Sequence, residues 1–277
     1  MSPRVVTVDP ELGPLTDDLL TSDVRVFQRA RGHRFSSDDV ATAFVAWRAC
    51  PAPPRAVDLG SGLGSVLLML AWKMRETTFS AVEAQAPSFS LLERNVARSG
   101  FAHRIWIRHG DFREHADELA ARGPFDLVSG TPPYFAADAC VPADDTQREF
   151  ARVEHRGGVE AYLEVGARIL AQDGTLVICG DARSAERVER AAPLHGVAVI
   201  EAIEVIPKAG KAALFSVWVL RRRGAAVGAP LRRSMTLRTA RGETTPDADA
   251  LRVFSGFPSR LEGTDEALFR PSSRQRA

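Results

Sequence analysis

The stretch from Arg55 to Leu70 reads as a buried strand, a glycine turn and the opening of a helix without interruption, and that order leaves few folds open. Ala56 to Leu59 is short and apolar behind the breakers Pro51, Pro53 and Pro54, while Val66 to Ala71 is a longer apolar run with Leu and Met, which favours helix. Between them lies Gly60-Ser-Gly62-Leu-Gly64, where glycine permits positive φ and lets a ligand approach the backbone. The helix that follows points free N–H groups into the turn, which suits a carboxylate or phosphate. The dinucleotide fingerprint Gly-x-Gly-x-x-Gly is not met, because the third glycine falls one place early and Ser65 stands where it is required. Taken alone, the turn is explained equally well as a tight connection with no ligand.

Strands and helices alternate along the chain after this turn. Thr77 to Val82 reads as a strand ending in Glu83, Ile105 to Arg108 as a strand followed by Gly110-Asp111-Phe112, and Phe125 to Ser129 as one running into Gly130-Thr-Pro-Pro-Tyr-Phe135. Gly174 to Cys179 is a further strand. Val197 to Val205 and Ala213 to Leu220 lie close enough across Pro207 to Lys211 to pair antiparallel. With helices at Ser88 to Ser99, Val159 to Ala171 and Ala182 to Ala192, the pattern predicts an α/β fold: a doubly wound, mainly parallel seven-stranded sheet with one antiparallel strand. Upstream, Val24 to Gln28 alternates as a short strand, and Ser36 or Ser37 caps a helix through Trp47 with Asp38 and Asp39 in its first turn. Residues 1–23 are expected to form an irregular arm, 24–257 the working domain and 258–277 a flexible tail, with a surface loop or flap over 135–158.

Bulk properties exclude more than they identify. A formal net charge of +1 gives no global signal for a polyanion, so a nucleic-acid contact needs a local patch. Cys50, Cys140 and Cys179 are far apart and the six histidines show no ligand spacing, so neither a disulfide framework nor a metal is expected. No signal sequence and no apolar run of about 18 residues is present, so the expected compartment is the cytosol, away from any membrane.

The chemistry concentrates where strands end. Glu83 is the right group at the end of the second strand to accept both hydroxyls of a ribose, and Asp111 can accept from an adenine amine while Phe112 covers the ring. An Asp after Gly is also a common turn residue. Two consecutive prolines end the strand before them and hold a rigid turn at the carboxyl edge of the sheet, where an α/β fold places its site.

Asp58-Leu-Gly-Ser-Gly-Leu-Gly64 resembles the first motif of class I methyltransferases, which use S-adenosylmethionine (SAM), and Thr131-Pro-Pro-Tyr134 resembles the Asn/Asp/Ser-Pro-Pro-Tyr motif of enzymes that methylate an exocyclic or amide nitrogen. Together with Arg34-Phe-Ser-Ser-Asp38, Glu83, Gly110-Asp111 and Arg241-Gly-Glu-Thr-Thr245, the chain resembles the bacterial tRNA(Val) adenine-N6 methyltransferase family over about residues 24 to 250. The resemblance implies SAM as cofactor, held by Asp58, Gly60, Gly62, Glu83, Ala84, Asp111 and Phe112, with Arg34, Phe35, Ser37 and Asp38 closing over it. It implies catalysis at Thr131, Pro132, Pro133 and Tyr134, and acceptor contacts from Tyr134, Phe135 and Arg152. In this motif the first side chain and the first proline's carbonyl accept both protons of a poorly nucleophilic amine, and the aromatic stacks on the planar acceptor. The family carries Asn where this chain has Thr131, whose hydroxyl is shorter and a weaker acceptor. The acceptor therefore stays open between an adenine of tRNA or other RNA and a small molecule or peptide, as does a non-catalytic binding protein on the same fold.

Overall fold

The structure is a computed structural model and describes residues 5–135, 145–224 and 228–261. In chain order its elements are β1 (Val5–Asp9), β2 (Gly13–Leu19), β3 (Arg25–Arg29), α1 (Ser37–Ala49), β4 (Arg55–Leu59), α2 (Ser65–Lys73), β5 (Thr78–Glu83), α3 (Ala86–Arg98), β6 (Ile105–His109), α4 (Ala116–Arg122) and β7 (Phe125–Gly130). They continue with α5 (Thr146–Arg152), α6 (Val159–Ile169), β8 (Leu170–Asp181), α7 (Ala185–Ala191), β9 (Val197–Ile206), β10 (Phe215–Arg222), β11 (Leu231–Thr236) and α8 (Pro246–Phe254).

Eight strands form the main sheet in the order β11-β9-β10-β8-β7-β4-β5-β6, and β10 alone runs against its neighbours. The strand absent from the sequence-based expectation is β11, an exposed edge strand whose Arg232 and Arg233 obscure any alternation. From β4 the chain first winds outward through β5 and β6, then returns to place β7 on the other side of β4. That reversal opens a crevice at the carboxyl ends of β4 and β7, where open α/β sheets hold ligands.

Burial on both faces explains why β4 and α2 are so legible. Ala56, Val57 and Leu59 are buried within the sheet, and Val66 to Ala71 are each at most 2% exposed. Every Val, Leu or Met so buried contributes roughly 1.5–3 kcal/mol before chain entropy is counted. One face of the sheet packs on α1, α2, α3 and α8, the other on α4, α6 and α7.

Residues 5–19 of the expected irregular arm form two strands. β1 and β2 pair antiparallel and, with β3, make a separate three-stranded sheet. Its polar residues are tied to α3, through Arg94 to Asp9 (2.6 Å) and Arg98 to Asp17 (3.0 Å), which a reading of local period misses. The Asn95 carboxamide accepts from the Phe27 N–H (2.7 Å) and donates to the carbonyls of Phe27 (3.1 Å) and Leu63 (3.0 Å), joining this small sheet to the glycine turn. In place of a loop throughout 135–158 there is α5, capped by Asp145, whose carboxylate accepts from the Arg148 N–H (3.0 Å). Residues 136–144 of that expected flap, and all of the expected tail beyond Leu261, lie outside the described residues. No described helix is long and apolar enough to cross a membrane.

Candidate active site

The glycine turn holds Gly60, Gly62 and Gly64 at φ of +63°, +57° and +93°. A side chain at Gly60 would collide with the Tyr162 hydroxyl, and one at Gly130, the last residue of β7, with the same ring. At Gly62 nothing lies within 4 Å of a Cβ position, so that side of the turn is an open cradle. The Gly62 N–H donates to Glu83 Oε2 (2.8 Å) and the Gln85 N–H to Oε1 (2.7 Å). Burial pushes the Glu83 carboxyl up against these two donors, and no cation pairs with it among the described residues. Each of its oxygens keeps a lone pair for an incoming hydroxyl.

Glu83, Ala84, Gly60, Gly62, Asp111, Phe112 and Phe35 all line one compartment, roofed by Phe150 and Ala151 of α5. Gln147 on α5 donates to Ser88 Oγ (3.0 Å), and Arg29 pairs with Asp145 (2.9 Å), so the roof is anchored on two sides. Burial raises the Asp111 carboxyl, but the Arg113 guanidinium at 2.6 Å and the Arg113 N–H outweigh it and hold the group below its ordinary value. Phe112 packs edge-on against Tyr162, ring centres 4.6 Å apart.

Asp58 does not line this compartment. Its carboxylate accepts from Ser129 Oγ (2.7 Å), its partner in the β4–β7 register, so it stitches together the two strands from which the site hangs. Burial pushes it up to about 7. The carboxylate facing the compartment instead is Asp39, which accepts from Ser65 Oγ (2.8 Å) and the Ser36 N–H (2.8 Å). Burial, with the Asp38 carboxylate beside it, pushes Asp39 up to about 7. Its helix-capping position gave it a sufficient local explanation and hid this second role.

A second cavity of about 370 Å³ adjoins the first. Arg34, Ser37, Asp38, Tyr134, Phe135 and Arg152 line it, together with Arg148, Leu214 and Phe215. The segment 34–39 is therefore divided: Phe35 and Asp39 face the first compartment, while Arg34, Ser37 and Asp38 face the second. Arg34 also pairs with Asp18 (2.9 Å) of β2.

The Thr-Pro-Pro-Tyr turn forms the wall between the cavities. Thr131 and Pro133 face the first compartment, Tyr134 and Phe135 the second, and Pro132 is buried between them. The Tyr134 hydroxyl donates to Asp38 Oδ2 (2.9 Å) and sits 3.0 Å from Cys179 Sγ. Burial drives the phenol far above its ordinary pKa, so it stays a donor. The Tyr134 and Phe135 N–H groups both donate to the Arg152 carbonyl (3.1 and 2.9 Å), and the Arg152 guanidinium lies 5.2 Å over the Phe135 ring.

Sequence reasoning missed Tyr162, His33, Phe150 and Arg156, all of which line the first compartment. Tyr162 had one usable signal: the chain has only two tyrosines, and both stand here. His33 lines both cavities, and burial lowers its pKa, with Arg152 and Arg148 adding to the effect against Asp38. Among the described residues no group of three His, Cys, Asp or Glu could hold a metal ion.

A scan against protein-family models finds no match. The chain is 32% identical over 168 residues, 60% of its length and 68% of the relative's, to the tRNA1(Val) (adenine(37)-N6)-methyltransferase of Bacteroides thetaiotaomicron. It is 28% identical over 171 residues, 61% of this chain and 69% of the relative, to the enzyme of the same name from Actinobacillus succinogenes. Among solved structures, it superposes on a SAM-dependent methyltransferase from Agrobacterium tumefaciens with a TM-score of 0.52 at 14% identity, covering 73% of this chain and 68% of that one. TYW2 of M. jannaschii, solved with AdoMet, superposes with a TM-score of 0.50 at 14% identity, covering 76% and 87%. These two likenesses identify the fold.

Proposed function

Since the chain belongs to the tRNA1(Val) (adenine(37)-N6)-methyltransferase family and is a SAM-dependent enzyme, we propose that it methylates the exocyclic N6 nitrogen of an adenine in tRNA. The observation that carries this reading is the register pairing Leu59 with Gly130. It sets the glycine turn after β4 beside the Thr-Pro-Pro-Tyr turn after β7, with one cavity on each side of the second turn.

The residues of the first compartment fit SAM. The open cradle at Gly62 admits a ligand against the backbone, Glu83 offers a buried acceptor for the ribose hydroxyls, and Asp111 and Phe112 suit the adenine. Asp39 is proposed to receive the ammonium of the methionine part, the charge that a buried carboxylate with no cation beside it among the described residues requires. SAM supplies a methyl group on a sulfonium, ready for in-line transfer.

The chain's own task is to hold the amine. Thr131 Oγ1 and the Pro132 carbonyl accept hydrogen bonds from its two N–H groups, which leaves the nitrogen lone pair free to point at the methyl, and one of those protons is lost to solvent once the methyl is on nitrogen. Tyr134 and Phe135 supply the aromatic walls of the acceptor cavity. Asp58 and Asp38 act at one remove, Asp58 by joining β4 to β7 and Asp38 by fixing the Tyr134 ring through its hydroxyl. The catalytic unit is proposed to span residues 24–257, with β1 and β2 tied to it by Arg94 and Arg98.

The test is transfer of labelled methyl from SAM to an unmodified tRNA(Val) transcript, followed by digestion to nucleosides. Label in N6-methyladenosine is the expected result. Label in another nucleoside, or only in protein or small-molecule pools, overturns the assigned acceptor.

A further inference from the structure

Of the chain's basic residues only Lys73, Lys208 and Lys211 are lysines, so two of the three stand three positions apart at one hairpin tip. In a chain that otherwise uses arginine, composition alone does not put them there. Because β10 runs against β9, their connection lies at the carboxyl end of the sheet, on the side of both cavities. The hairpin returns into the site: Leu214 and Phe215, just after the tip, line the second cavity. Leu214 is 58% exposed among the described residues, an apolar side chain in the cavity lining that is open to solvent.

The tip is also joined to its neighbour. The Ala209 N–H donates to the Arg238 carbonyl (2.9 Å), which seats the turn after β11 and its exposed Arg238 and Arg241 beside the lysines. Among the described residues neither lysine has a carboxylate within ion-pairing distance; Glu243, the acid of that turn, accepts from Thr239 Oγ1 (3.1 Å). Arg148 and Arg152 line the same cavity as Leu214 and Phe215. The cavity wall therefore carries two guanidiniums of its own, and the strand that follows the lysine-bearing tip completes it.

We propose that the 207–214 hairpin, with the adjoining Arg238–Arg241 turn, is a docking surface for the phosphate backbone of the RNA next to the methylated nucleotide. This rests on the acceptor being tRNA. Compact, strongly hydrated lysine ammonium groups on flexible stems suit contacts that grip phosphate without reading sequence. They sit outside the cavities and leave the cofactor's residues untouched.

The experiment measures binding of an unmodified tRNA(Val) transcript across a salt series for the wild type, Lys208→Gln/Lys211→Gln and Lys208→Arg/Lys211→Arg. Removing two phosphate contacts is expected to reduce the slope of log K against log salt by about 1.4–1.8, since each contributes about 0.7–0.9. Affinity at low salt should fall at least roughly tenfold, with the Arg pair close to wild type and the SAM affinity and single-turnover rate at saturating tRNA unchanged in both. A Gln variant with wild-type slope and affinity, in an enzyme that does methylate the tRNA, overturns the docking surface alone. A wild type that neither binds nor methylates the tRNA overturns the substrate assignment beneath it.

Discussion

The two cavities are built by different means. The first takes its walls from turns after the successive parallel strands β4, β5 and β6, and much of its chemistry is backbone: N–H groups of Gly62 and Gln85 holding a buried carboxylate. The second is assembled from stretches far apart in the chain, around Arg34, Tyr134, Arg152 and Phe215, and its chemistry is side-chain rings and guanidiniums. The lesson is that a cofactor common to many enzymes can be held by geometry that the strand ends enforce. The acceptor is held by whatever the intervening segments bring.

The difference predicts where substitutions hurt. Gly62→Val should have the largest effect, abolishing SAM binding by calorimetry while the protein still melts cooperatively. It fills the open cradle, and adds about 1–2 kcal/mol of left-handed strain. Wild-type affinity in a folded variant would remove the cradle from the first compartment.

Next comes a pH effect at Asp39. Its folded-state pKa of about 7 lies above the ordinary carboxylate value, so between pH 4 and 7 the folded state binds the proton that the unfolded state has lost. Stability from this group is therefore fully present at low pH and declines as pH rises to about 7. Asn does not titrate, so moving from pH 5 to pH 8 should shift the stability difference in favour of Asp39→Asn by roughly 3 kcal/mol in the SAM-free enzyme. Urea melts at both pH values measure it, and a pH-independent difference would mean Asp39 is ionised throughout.

Glu83→Ala should cost about 1.5–3 kcal/mol of SAM affinity, the range for hydrogen bonds to a charged group. In the variant a 2′,3′-dideoxy analogue should bind as well as SAM itself; a persistent preference for the hydroxyls contradicts the ribose role.

Effects in the second compartment should fall on turnover instead. Tyr134→Phe keeps the ring but removes the donor to Asp38 Oδ2, and should lower single-turnover rate by about 1–1.5 kcal/mol with SAM affinity intact. An equal loss of SAM affinity would merge the two cavities into one functional unit. The smallest effect is expected from Thr131→Val, at a residue that faces the first compartment from the wall between the two, about 0.5–1.5 kcal/mol in the same rate. Equal Thr and Val rates would make this residue structural and leave the Pro132 carbonyl to hold the amine.

The same contrast governs what could be read from sequence. β4 and α2 are each buried by their own apolar run on either side of the glycine turn, so period and breakers suffice there. The arm reads as irregular because β2 carries Asp17 and Asp18, whose partners Arg98 and Arg34 lie elsewhere in the chain. For Asp58 the resemblance of its motif implies a ligand contact; in the structure its carboxylate accepts from Ser129 on the neighbouring strand. Tyr162 enters from α6, and only the tertiary fold brings it under Gly60 and Gly130. Motif position thus reveals which backbone reaches the crevice, while the direction a side chain takes is set by its neighbours.

Asn95 has a consequence for how the chain acquires its structure. Its carboxamide closes on Phe27, 68 residues earlier, and on Leu63 within the glycine turn. The amino-terminal strands leave the ribosome first, yet the side chain that satisfies the Phe27 backbone is made only after β4, α2 and β5. Synthesis order and assembly order therefore cross at this residue: the Phe27 backbone is satisfied only once α3 is in place, by the same carboxamide that holds the Leu63 carbonyl.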